Sequence, residues 1–312
     1  MRFAVIEEIY KQALNNKNIF FITGDLGHAY ENEFKKNIPN QYMNIGIAEQ
    51  NMIGVASGLA LSGMKVFVYS IVPFAIMRCF EQIRVDVCSQ DLDVTIIGTG
   101  AGLVYGQYGN THCSIEDVAL TRVLPNMKVI SPSNPYEASE LTKQVLNLKG
   151  PFYLRLGRGK EPMPDKKYKV SFNKACVIKP GSDISLLTYG AILPEVIKTS
   201  RLLEDRGVSV EVINMHTIKP FDEKAILSRL KKRKAIFSIE EHSVIGGLGD
   251  AIASIIAERK TDIIFKKFGI NDVYLKEIGD QDYLRQRHNL SAAKISKEIL
   301  KLCQLFKLLK LF

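Results

Sequence analysis

Short apolar runs rich in β-branched and aromatic residues alternate with helical patterns along this chain, and that alternation predicts parallel sheet covered by helices on both faces. Strand-like runs fall at Ile19–Thr23, Lys65–Ser70, Val94–Gly98, Met127–Ile130 and Phe152–Leu156. Between them the periodicity predicts helices over 47–61, 74–89, 114–122 and 135–148. The texture changes at Gly157–Tyr168, where glycine, proline and charge replace any periodicity and suggest a linker. The alternation then resumes: strands at Ile184–Thr188, Val208–Ile213, Ala235–Ile239 and Ile263–Phe268, with helices over 193–206, 222–230 and 250–259. The expected fold class is α/β, as two open sheet domains with helices on both faces. The expected domains are residues 1–156 and 171–312, joined by a linker at 157–170.

Composition narrows the class. A chain of 312 residues is long enough for two domains, and 46% hydrophobic with 24% charged residues suits a soluble globular protein. The N-terminus lacks the pattern of an export signal, because Arg2, Glu7, Glu8 and Lys11 interrupt it. The five cysteines are odd in number and form no C-x-x-C pair, which fits free thiols in a reducing cytoplasm. A net charge of +9 invites a nucleic-acid partner, but the basic residues are scattered and not interleaved with aromatics, so none is expected. A solvated face or a site for phosphorylated small molecules accounts for the charge as well. The leucine-rich tail over 296–312 could lie on a membrane, yet it continues a helical pattern and is read as packing on its own domain or a partner subunit.

Several segments carry chemistry-bearing residues. Glu49 opens an apolar, glycine-spaced helical run containing Met52, Ile53, Ala56 and Leu59, which suggests a helix packed on most sides. A carboxylate there needs a partner, because desolvation otherwise favours its protonated form. The bland alternative is an acid favoured by the helix dipole. Loops at Thr23–His28, Gly98–His112 and Arg155–Gly159 each follow a predicted strand, where open α/β sheets place ligands. The first, taken alone, reads as an ordinary tight turn. In the second, His112 is either a proton shuttle or a helix-capping histidine. In the third, two arginines among glycines would suit a phosphate, with a surface salt bridge as the alternative.

Taken together, these segments resemble the transketolase family. The stretches I-G-I-A-E-Q-N (45–51), M-R-C-F-E-Q-I-R (77–84), G-N-T-H (109–112), L-P-N-M-K-V-I-S-P (124–132) and P-F-Y-L-R-L-G-R-G (151–159) resemble its pyrimidine-binding domain. N-M-H-T-I-K-P-F-D (214–222) and I-E-E-H-S-V-I-G-G-L-G (239–249) resemble its C-terminal domain. The resemblance spans essentially the whole chain. The family's Gly-Asp-Gly…Asn motif, which holds magnesium and diphosphate, is not matched, since Gly24-Asp25 is followed by leucine within the pyrimidine-domain match. The chain is therefore similar to the C-terminal subunit of a split transketolase.

The resemblance implies thiamine diphosphate shared with an N-terminal partner subunit, and Mg2+ or Ca2+ on that partner with no metal site here. It implies transfer of a two-carbon ketol unit from a ketose or ketose phosphate to an aldose. By match, Glu49 engages the cofactor's aminopyrimidine and is catalytic, and Phe74 stacks on that ring. Asp25 and Arg78 lie on the cofactor side. His112 is catalytic and contacts substrate, and Arg158 binds the sugar phosphate. A homodimer through this chain, giving a heterotetramer, is expected.

Two departures stand out: Gly100, where relatives carry a basic residue, and Tyr108 with Asn110 in place of an acid and a proline. They point to a different sugar. Deoxyxylulose-phosphate-synthase-like or pyruvate-dehydrogenase-β-like chemistry, or a non-catalytic binding subunit, are the alternatives.

Overall fold

The computed structural model describes residues 1–27, 29–158, 161–164 and 167–305. His28, Gly159 and the last part of the apolar tail, all singled out by the sequence reading, lie outside these.

The strands are β1 Ile19–Thr23, β2 Tyr42–Asn44, β3 Lys65–Ile71, β4 Val94–Thr99, β5 Lys128–Ile130, β6 Phe152–Leu156, β7 Cys176–Lys179, β8 Ile184–Thr188, β9 Val210–Asn214, β10 Thr217–Lys219, β11 Ala235–Ser243 and β12 Ile264–Ile270. The helices are α1 Arg2–Ala13, α2 Glu31–Asn37, α3 Glu49–Leu61, α4 Phe80–Gln82, α5 Asp117–Val123, α6 Pro135–Leu146, α7 Leu193–Glu204, α8 Glu223–Leu230, α9 Leu248–Ala257, α10 Gln281–Arg287 and α11 Ala292–Leu305. The fully buried strands β1, β4, β6, β8 and β9 are those of parallel sheets covered on both faces.

Two sheets form. The first has seven strands in the order β10-β5-β6-β4-β3-β1-β2, parallel except for β10. The second has five in the order β12-β11-β8-β9-β7, parallel except for β7. Strand order reverses between β1 and β3 in the first sheet and between β8 and β11 in the second. Those are the two places where such sheets open a crevice at their carboxyl ends.

The short strands β2, β7 and β10 extend beyond the predicted set, as do α1 and α2. β10 comes from beyond residues 157–170, where a linker is expected: Thr217 and Lys219 pair antiparallel with Ile130 and Val129, so the second half of the chain supplies a strand to the first sheet. The stretch expected as one helix over 74–89 is instead two π-helical segments, Pro73–Met77 and Ile83–Cys88, around the single turn α4. Such insertions recur at functional sites because they re-aim side chains.

α3 also differs from expectation. Met52, Ile53 and Ala56 are buried, but Ile47 just before the helix is 81% exposed and Leu61 63%. A Cβ placed on Gly54 or Gly58 would meet nothing within 4 Å. The helix packs on one side only, and its other face is open.

Apolar packing is continuous across the two sheets: Val68, Ile96 and Val129 share one cluster with Tyr189, Met215, Ile236 and Leu248. A second cluster places Leu103, Cys113 and Ile115 of the first half among Leu186, Phe237, Leu284 and Ile295. α11 lays Ile295, Ile299 and Cys303 into that core, as the packing reading of the described part of the tail expects. Among the described residues no helix is long and apolar enough to cross a membrane.

Candidate functional site

Glu49 is the first residue of α3 and sits over the reversal between β1 and β3. Its carboxylate is 1% exposed, accepts a hydrogen bond from Ser70 Oγ at 3.3 Å, and pairs with Arg78 Nη1 at 2.8 Å. Gly24, at the end of β1, keeps this place open, because a Cβ there would lie 3.2 Å from Glu49 Cγ. The partner that burial demands is thus Arg78, delivered by the turn after the Pro73–Met77 segment.

From Arg78 a continuous wall of stacked groups crosses the strand ends. The guanidinium stands 4.6 Å from the centroid of Phe74, and Phe74 meets His112 edge-on at 5.3 Å. His112 lies 5.2 Å from Tyr108, Tyr108 lies 5.9 Å from Tyr105, and Arg158 stands 5.7 Å over Tyr105. Glu49, Arg78, Phe74, His112 and Arg158 are therefore brought to one surface. His112 Nδ1 is paired with Thr111 Oγ1 at 2.8 Å, so the choice of tautomer couples to that hydroxyl.

Asp25 stands at the rim in the left-handed region, with φ 51°, and is exposed. Its amide donates to Asn44 Oδ1 at 3.2 Å and its carboxylate accepts from Asn44 Nδ2 at 3.3 Å. It joins the wall through Gly24 and does not touch it.

Arg155 departs from the expectation of a phosphate ligand. It is 3% exposed, its Nε donates to Asp117 Oδ2 at 2.7 Å, and Tyr153 Oη donates to the same oxygen at 2.6 Å. Burial pushes the Asp117 carboxyl up, but Arg155, His242 and Tyr153 outweigh that and leave it below the usual carboxylate range. Of the two arginines only Arg158, two residues past the end of β6, joins the wall, over the ring of Tyr105.

Gly100 has a reason to be glycine. Its φ is +83°, and a Cβ would fall 2.0 Å from the ring of Tyr105. The space that a side chain at 100 would fill is taken by an aromatic from five residues on.

Sequence reasoning overlooked Ser70 and Tyr105. Ser70 is a polar residue interrupting the apolar β3, which was the available signal. Tyr105 gave none. Burial pushes the Cys79 thiol, close behind Glu49, up to about 12, so it stays protonated and is no nucleophile.

Residues 1–163 match the transketolase pyrimidine binding domain and 173–295 the transketolase C-terminal domain. An apulose-4-phosphate transketolase subunit of Actinobacillus succinogenes is 34% identical, over 84% of this chain and 85% of its own. The 6-deoxy-6-sulfo-D-fructose transketolase subunit SqwH of a Clostridium species, strain MSTE9, is 33% identical, over 95% and 92%. A solved structure described as a split gene transketolase, inactive beta4 tetramer, superposes with a TM-score of 0.86 at 32% identity, covering 96% of both chains. With both domain models matched in order and relatives aligned nearly end to end, the chain belongs to the transketolase family of transferases, as its C-terminal subunit.

Proposed function

We propose that this chain supplies the pyrimidine half of a thiamine-diphosphate site and transfers a two-carbon ketol unit from a ketose or ketose phosphate to an aldose, together with an N-terminal partner subunit. The observation that carries this reading is Glu49, a carboxylate out of water at the sheet's reversal point, with an aromatic face, Phe74, reached through Arg78.

The residues present fit the heterocyclic end of that cofactor. Glu49 offers a buried carboxyl that would donate its proton to a ring nitrogen, Phe74 a face for stacking, and Arg78 a cation that bridges the two. When bound, thiamine diphosphate supplies the carbon nucleophile and electron sink for C–C cleavage. Glu49 then holds a proton in common with the ring nitrogen. His112 donates to or accepts from a substrate oxygen at the other side of Phe74. Arg158 receives the anionic end of the sugar, with Tyr105 supporting its plane.

Among the described residues no group of three or more His, Cys, Asp or Glu is placed to hold a metal ion. The diphosphate and its Mg2+ or Ca2+ belong to the partner in this reading. The open face of α3, with Ile47, Gly54, Gly58 and Leu61, is the homodimer face, giving a heterotetramer. The buried free thiols suit a cytoplasmic protein. The sugar differs from those of enzymes with a basic residue at position 100, because Gly100 is closed by Tyr105 and Tyr108 stands 54% exposed beside His112.

The test is reconstitution. Mixed with a polypeptide carrying the Gly-Asp-Gly…Asn motif, the chain should bind thiamine diphosphate in calorimetry and transfer ketol from a ketose phosphate. Full turnover by the chain alone, or pyruvate as the only donor, would refute the reading.

A further inference from the structure

The loop carrying His112 is built from the second half of the chain as much as from the first. Gly102 and Ser114 close it through a two-way backbone pair, Gly102 N to Ser114 O at 2.9 Å and Ser114 N to Gly102 O at 3.1 Å. Between those ends the side chains divide. Leu103 and Cys113, with Ile115 just beyond, are buried in the core of the second sheet. Tyr105, Tyr108 and His112 make the wall of the candidate site.

The reversal point of the second sheet, where that sheet would open its own crevice, is filled by this loop. Glu241, near the carboxyl end of β11 and 3% exposed, accepts from Leu103 N at 3.3 Å. Gly102 has φ +66°, and a Cβ on it would fall 2.6 Å from Glu241 Oε2, so the loop backbone rests directly on the carboxylate. Glu241 is itself fixed by Arg285 Nε and by Gln281 Nε2 at 2.8 Å, both from α10. Its carbonyl accepts from Arg155 Nη2 at 3.0 Å. Further along, Gly279 N donates to Gly106 O at 3.3 Å, and a Cβ on Gly106 would strike Leu284.

We infer that Glu241 is a positioning residue: it sets the height of the 102–114 loop over the first sheet, and through it the place of His112 relative to Phe74 and Glu49. The second domain thereby acts on the reaction without touching substrate. A carboxylate suits this task because it joins a neutral amide on one side to a guanidinium and an amide side chain on the other. Its charge is matched by Arg285, and its geometry is fixed from three directions. The role assigned to His112 rests on the transketolase reading; the tether itself does not.

The test combines two readouts. In the chain as it stands, Glu241→Gln removes the charge that Arg285 holds, and hydrogen exchange of 102–114 should accelerate while that of β3 (Lys65–Ile71) does not change. In the reconstituted complex kcat should fall by roughly ten- to a hundred-fold, with KM and cofactor affinity nearly unchanged, as expected when a group is misplaced and not removed. Gln281→Ala, which leaves the charge pair intact, should move both readouts in the same direction but less.

Unchanged loop exchange in both variants would overturn the proposal. So would a faster loop with unaltered kcat. General acceleration that includes β3 in Glu241→Gln, with Gln281→Ala silent, would make Glu241 a plain structural residue. Exchange is read without partner or cofactor, so absence of ketol transfer in the wild-type complex would strike the functional reading and leave the tether standing.

Discussion

Arg78 and Glu49 are joined from opposite sides of the surface: the guanidinium is half exposed, the carboxylate it holds at 2.8 Å is not. Removing the arginine strands a buried charge, whereas removing both leaves none, so the two substitutions should not add. Arg78→Ala is expected to lower stability by about 1–3 kcal/mol in denaturant titration. Arg78→Ala with Glu49→Gln should recover most of that, while ketol transfer stays at least about a hundred-fold down. A double variant as unstable as the sum of the two singles would show that the pair is not coupled.

Asp117 and Arg155 form a second pair, buried on both sides. Asp117→Asn keeps the shape and leaves Arg155 without its counter-charge, at an expected cost of about 3–5 kcal/mol. Because the folded carboxyl lies below its ordinary value of 3.8, its contribution is present above that value and is lost as pH falls through the lower, folded one. Acid titration of the variant should therefore lack the last step of stability loss, below pH 3.8, seen in the parent.

His216 governs a different window. It is buried, its Nε2 has no hydrogen-bond partner among the described residues, and burial lowers its pKa from 6.5 to about 4. Between those values the unfolded chain binds a proton that the folded chain refuses, so stability declines as pH falls from 6.5 towards 4. The decline amounts to about 3 kcal/mol. In His216→Gln the slope of unfolding free energy against pH should flatten across that interval; an unaltered slope would assign the decline to other groups.

Gly100→Ala meets both the left-handed backbone and the Tyr105 ring. The expected loss is about 2–4 kcal/mol from conformation and overpacking together. Shortening the obstacle with Tyr105→Leu in the same chain should return part of it. If Gly100→Ala alone left the melting temperature unchanged, the ring would not be holding that space.

Much of this fold is legible in the sequence. Long, continuous apolar runs such as Ile19–Thr23 and Phe152–Leu156 leave little choice but buried parallel strands, and they fell where expected. Glu49 could be singled out because a lone acid opening an apolar helix demands explanation. What stayed hidden was decided by tertiary contact. Three-residue strands such as Tyr42–Asn44 carry no periodicity, and α1, whose Val5, Ile6 and Ile9 are buried, sits where the early charges were weighed only against an export signal. Arg155 and Arg158 look alike in sequence. The buried Asp117 draws Arg155 inward as an ion pair, while Arg158 lies past the end of β6 and stands over Tyr105.

The strand Thr217–Lys219, borrowed by the first sheet from the second half of the chain, makes the two halves of this polypeptide inseparable. A protease cut within residues 157–170 should not liberate two folded pieces, since the amino-terminal fragment would be left with a raw edge at Lys128–Ile130 and the other with a tongue that has lost its groove. Any attempt to move this catalytic half onto a new scaffold has to carry the whole of it.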